Sequence, residues 1–117
     1  AMQVDGNFGA TAAIAEMLIQ THGEVLRLLP ALPADWREGK VEGLRGRGGI
    51  SVDVAWKDGE LTGATISSRV ARTVVLRTGG RVHVLVRGKR IGVRQAATGT
   101  ASFAMAPGVV YDVRPVE

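Results

Sequence analysis

The residues best suited to chemistry gather at the start of the chain, in Gln3-Val4-Asp5-Gly6-Asn7-Phe8-Gly9. Gly6 and Gly9 flank Asn7 and Phe8 and let the backbone bend sharply. A strongly apolar segment of helical period follows, so its free N–H groups and positive dipole end would face that bend. An anion is favoured there. Asp5 would then be an ionised acceptor or electrostatic anchor, able to orient a base or a water and ill suited to act as a general acid. The same residues also fit a plainer role, in which Asp5 or Asn7 caps the helix.

Elsewhere the chemistry is sparse. The chain has no Cys and two His, so it offers no disulfide framework, no thiolate nucleophile and no Cys-based zinc site. His22 and His83 cannot form a metal site alone: the first is expected in the last helical turn, the second on the wetter face of a strand between Val82 and Val84. Trp36 and Trp56 offer flat faces for sugar stacking, although a Trp in a small β domain more often packs. Gly46-Arg47-Gly48-Gly49 lacks the Lys-Ser/Thr pair and the following helix of a phosphate loop. No metal, cofactor or redox centre is expected.

The elements that must position these residues follow from periodicity. With 117 residues the chain suits one domain with a modest core, short for a complete active site plus scaffold. Ala10, Ala13, Ile14, Met17 and Leu18 fall at helical spacing and predict a helix over 10–22, ended by Gly23. Ala12, Ala15 and Ile19 are apolar too, so this helix needs neighbours on several sides, and left uncovered it would drive self-association. Residues 24–46 lose period around Pro30, Pro33 and the glycines, and read as a connector packed down by leucines and Trp36. From Ile50 the period is two. Ile50, Val52, Val54 and Trp56 alternate with polar or small residues, Lys57-Asp58-Gly59-Glu60 turns the chain, and a return strand follows. Further strands are expected at 73–77, 81–86, 91–94, 101–105 and 109–113, which predicts a mainly β chain, an antiparallel β-sandwich preceded by one helix. The expected division is 1–23, loop and helix; 24–46, connector; 47–117, β-sandwich.

Three motifs in order carry a resemblance: Met2-Gln3-Val4-Asp5-Gly6-Asn7-Phe8-Gly9-Ala10-Thr11-Ala12-Ala13-Ile14-Ala15-Glu16-Met17-Leu18, then Leu28-Leu29-Pro30-Ala31-Leu32-Pro33, then Gly43-Leu44-Arg45-Gly46-Arg47-Gly48-Gly49. The sequence resembles the C-terminal part of glycoside hydrolase family 95, continuously from Met2 to about Ile66. That family contains inverting α-L-fucosidases built on an (α/α)6 barrel followed by a C-terminal β domain. The resemblance implies that the helix belongs to the barrel's last turn and that its barrel neighbours are missing from this chain. It implies that Asp5 orients the side of the site where water attacks, with Asn7 and Phe8 on the same loop as the substrate-binding candidates. The family's general acid and its water-holding Asn residues lie far upstream. An inverting site needs polar groups about 6.5–9.5 Å apart across the sugar, and this chain offers one side of such a site. The isolated chain is therefore expected not to cleave fucosides. The implied partners are an oligosaccharide substrate and the missing barrel, and the residues that choose between fucose and galactose configurations are upstream.

Charge supports an alternative reading. Residues 1–60 carry six bases against nine acids, whereas residues 61–117 carry nine bases against two acids. Such a basic half suits an anionic partner or docking on an acidic surface, as a carbohydrate- or anion-binding accessory domain would use it. Nucleic acid is not expected, because no aromatic residue lies between Arg69 and Arg94 to stack on a base. No apolar run is long enough for a membrane span, and no secretion-signal pattern opens the chain, which leaves localisation unassigned.

Overall fold

The computed structural model describes residues 2–5, 19–29, 35–46, 48–96 and 99–116. These residues are mainly β, with no helix among them. The strands are β1 (Met2–Asp5), β2 (Ile19–His22), β3 (Val25–Leu28), β4 (Glu38–Gly46), β5 (Ile50–Lys57), β6 (Glu60–Ser68), β7 (Arg72–Arg77), β8 (Val82–Val86), β9 (Lys89–Arg90), β10 (Arg94–Ala96), β11 (Thr100–Met105) and β12 (Tyr111–Pro115). They form a seven-stranded sheet ordered β1-β4-β5-β6-β12-β8-β9 and a five-stranded sheet ordered β10-β11-β7-β3-β2. Pairing is antiparallel except for β1 with β4 and β3 with β7.

The period of two decides which residues go inside. Ile50, Val52, Val54 and Trp56 are all buried, and Ala64 and Ile66 meet them from β6. From the smaller sheet, Leu26, Leu28, Val74, Leu76, Ala101, Phe103 and Met105 join the same apolar cluster. Each such Val, Leu or Ile contributes about 1.5–3 kcal/mol by leaving water. Neither sheet has a core of its own, so each depends on the other.

Turn chemistry sets the register. Asp58 and Gly59 both have positive φ, 53° and 76°, and Lys57 pairs with Glu60, which is the two-residue turn of mirror-image type that matches strand twist. Arg87 and Gly88 do the same between β8 and β9, at 52° and 78°.

Four expectations need correction. Met2–Asp5, expected in the barrel loop, form β1 and pair with β4 at the edge of the larger sheet. Ile19–His22 are not the end of a helix; they form β2, paired with β3 so that Ile19 lies opposite Leu28, and both are buried. Gly23 has the left-handed φ of 60° expected of a helix stop, but here it opens a hairpin turn. Residues 10–18 of the expected helix lie outside the described residues. The stretch 24–46, expected as a connector, supplies β3 and β4 to the two sheets. Its period was hidden because β4 carries a bulge between Val41 and Leu44. Those residues are three apart, and both point inward because Gly43, at φ 76°, absorbs the extra position. Residues 91–93, expected in a strand, instead carry the chain from β9 in the larger sheet to β10 in the smaller one.

Candidate functional site

Asp5 ends β1, an edge strand, with its Cα opposite Glu42 of β4. Asn7 and Phe8, with the rest of the loop expected to carry the chemistry, lie outside the described residues. His22 ends β2 and does not occupy a helical turn. His83 faces outward from β8 between the buried Val82 and Val84, as its alternation required.

The two tryptophans are used for packing. Trp56 is 1% exposed, its indole Nε1–H donates to the Trp36 carbonyl at 2.9 Å, and the two rings stack with centroids 6.4 Å apart. Trp56 therefore presents no face to a sugar, and the half-buried Trp36 turns one face to Trp56.

The polar groups that do converge lie on the outer face of the larger sheet. Lys40 of β4, Asp53 of β5, Thr65 of β6 and Asp112 and Arg114 of β12 surround a trough of about 450 Å³. Ala55 and Gly63 are directly opposite one another in the ladder and form its low floor. Asp53, Thr65 and Asp112 lie in one row across three strands. With strands about 4.8 Å apart, the two carboxylate-bearing backbones are roughly 9.5 Å from each other.

That separation suggests an inverting pair, but the hydrogen bonds assign both carboxylates elsewhere. Asp53 accepts the Gly43 N–H at 2.7 Å and the Thr65 hydroxyl at 3.1 Å, which clamps the β4 bulge. Asp112 receives a fork from Arg114, Nε to Oδ1 at 2.9 Å and Nη2 to Oδ2 at 3.0 Å. Arg114 is held further into its charged form by that hydrogen bond first and by the Asp112 charge second. Lys40 sits 2.8 Å from Glu42, and its pKa is raised by that hydrogen bond, then by the Glu42 charge. A general acid needs a carboxyl kept protonated in a pocket of its own, and both carboxylates here are committed acceptors. Among the described residues no group of three or more His, Cys, Asp or Glu is placed to hold a metal ion. Nor is there among them a helix long and apolar enough to cross a membrane.

The described β structure thus contains no complete catalytic constellation. The sequence profile of the glycoside hydrolase family 95 C-terminal domain matches residues 20–113, which takes in every described strand from β3 to β11. The chain belongs to that family. Alpha-L-fucosidase 2 of Arabidopsis thaliana is 57% identical over 60 residues, covering 50% of this chain and 7% of that protein. Probable alpha-fucosidase A of Aspergillus oryzae is 39% identical over 84 residues, covering 63% of this chain and 12% of that protein. Its namesake from Aspergillus niger is 40% identical over 67 residues, covering 48% and 8%. The chain spans between 7% and 12% of the length of these relatives.

Sequence reasoning missed the Gly43–Asp53 clamp, and a signal for it was present. Val41 and Leu44 stand at odd spacing around a glycine, and an acid sits on the outward side of the neighbouring strand. The family 95 domain is therefore tied together at a point that composition alone represents as a glycine-rich connector.

Proposed function

We propose that this chain is the C-terminal β-sandwich domain of a glycosidase that cleaves α-L-fucosidic or related bonds with inversion, and that the domain alone is inactive. The observation that carries this is the family 95 C-terminal match over residues 20–113 together with curated relatives named as α-fucosidases. Two sheets sharing one apolar core support the sandwich description. In this reading the polypeptide between β1 and β2 carries the last loop and helix of the catalytic barrel, β1 itself belonging to the larger sheet, and the β domain braces that barrel. Asp5 is then a positioning residue, fixing the groups that activate the attacking water, while Asn7 and Phe8 line the substrate side of the loop. β1 is a four-residue strand at the margin of the larger sheet, and Asp5 is its last residue, directly before the proposed loop. The general acid comes from the missing part and protonates the leaving oxygen. Water attacks from the opposite face, so an α-linked fucoside yields β-L-fucose first.

The test compares the chain alone with the chain joined to its upstream sequence, using a 2′-fucosylated oligosaccharide. The joined protein is expected to release fucose as the β anomer, read by NMR before mutarotation, and the chain alone to release none. Asp5→Ala in the joined protein should lower kcat by about a hundredfold or more with little change in KM. Fucose release by the chain alone, or an unchanged kcat in that variant, would overturn the proposal.

A further inference from the structure

We infer that the cleft between β8 and the crossover leading to β10 is a binding site for an oxyanion, such as the sulfate or carboxylate group of an acidic saccharide. The cleft encloses about 660 Å³ and is lined by Arg81, His83, Arg90, Ile91, Val93 and Gln95 among others. Three of these carry basic side chains, and no carboxylate lines the cleft among the described residues.

Three observations make this more than a solvated basic face. First, the Arg90 guanidinium lies against the His83 ring, across the pairing of β8 with β9. Neither a guanidinium nor an imidazolium can accept from the other, and even a neutral imidazole takes up only one of five guanidinium donors. An oxyanion supplies the acceptors that this pair lacks. Second, Arg114, the register partner of His83 on the adjacent strand, is paired with its own carboxylate, Asp112, and so does not compete for a ligand of the cleft. Among the described residues, no carboxylate pairs with Arg81 or Arg90 at the cleft. Third, the walls are fixed. The Ile91 N–H donates to the Val84 carbonyl at 2.9 Å, Gln95 Nε2 donates to the Val82 carbonyl at 2.6 Å, and the Val116 N–H donates to the Arg81 carbonyl at 2.9 Å. The half-buried Ile91 and Val93 supply an apolar side on which the body of a sugar can rest. The inference does not rest on the proposed hydrolytic function.

The experiment titrates the isotope-labelled chain with sodium sulfate, with a sulfated monosaccharide and with its neutral parent sugar, following amide shifts. Saturable shifts centred on residues 81–95 are expected, with an apparent affinity that falls as sodium chloride is added. Arg90→Gln should weaken binding by about tenfold or more, whereas Arg77→Gln, an equal charge change on the smaller sheet, should leave it nearly unchanged. Equal affinity for sulfate and the sulfated sugar would identify a free-anion site, and tighter binding of the sugar an acidic-saccharide site. Both outcomes support the inference. Shifts spread over all the arginines, equal binding of the neutral sugar, or full affinity in a folded Arg90→Gln variant would overturn it.

Discussion

Asp53 shows how much one side chain can decide here. It sits on the outward face of β5, where an acid would ordinarily be solvated, yet both oxygens accept from neighbours: the Gly43 N–H inside the β4 bulge and the Thr65 hydroxyl on β6. Asp53→Ala should cost about 1–3 kcal/mol, because the half-buried Gly43 donor loses a charged acceptor. Urea unfolding checks this, and a midpoint unchanged from the parent protein would mean the clamp is incidental. Glycines separate in the same way. A Cβ at Gly99 would stand 2.7 Å from the Gly79 carbonyl carbon and the Gly80 nitrogen, and its φ is +65°. Gly59 has φ +76° with nothing within 4 Å. Gly59→Ala should therefore cost only the left-handed backbone penalty of about 1–2 kcal/mol. Gly99→Ala should cost clearly more, since two backbone segments must move apart, and thermal melts of the two variants measure the difference.

Among the elements, β7 links the two sheets through a side chain. Arg72 donates from Nη1 to the Gly48 carbonyl at 3.3 Å, in the turn before β5, and from Nη2 to the Gly23 carbonyl at 3.2 Å, in the turn between β2 and β3. One guanidinium thus ties a turn of the larger sheet to a turn of the smaller one. Arg72→Ala should destabilise by about 1–2 kcal/mol and speed amide exchange in both turns. Faster exchange in one turn alone would limit Arg72 to a single contact. The Lys40–Glu42 pair on β4 behaves differently. The raised Lys40 pKa means its contribution is fully present through neutral pH and is lost as pH climbs through the raised lysine value. Both side chains of the pair are about half exposed, 53% for Lys40 and 50% for Glu42, so water and salt screen it. Glu42→Gln should leave the neutral-pH melting temperature nearly unchanged.

For the molecule as a whole, the shared core sets cooperativity. The buried residues of both sheets belong to one cluster, so neither sheet keeps its apolar face covered if the other opens. Unfolding should be a single transition. The fluorescence of Trp36 and Trp56, which reports on the larger sheet, should coincide with far-UV circular dichroism, which reports on both. Leu76→Ala on β7 should lower both midpoints together, by about 2–5 kcal/mol in stability, although Leu76 belongs to the other sheet. Separate transitions by the two probes would show that the sheets are independent. The uneven charge also acts at this scale: the basic half of the sequence supplies β7 to β12, strands of both sheets, and so surrounds the cleft at His83 and Arg90.

Some of this was already determined by the sequence. The period of two from Ile50 onward, the Asp58-Gly59 turn and the absence of Cys gave a mainly β domain without metal-thiolate chemistry, because alternation and turn propensity act over a few neighbouring residues. The ordered motifs from Asp5 to Gly49 also carried the family resemblance. Tertiary structure decided the rest. Ile19–His22 pair with β3 although the preceding apolar spacing pointed to a helix, since burial of Ile19 against Leu28 outweighs local propensity. The odd step in β4 becomes legible only once Asp53, ten residues away, takes the freed N–H of Gly43. Arg90 and His83 read as ordinary outward strand residues until the turn at Arg87 and Gly88 folds one against the other. In each case the deciding partner is distant in sequence or across a turn, and a periodic pattern records which face a residue takes without recording what it meets there.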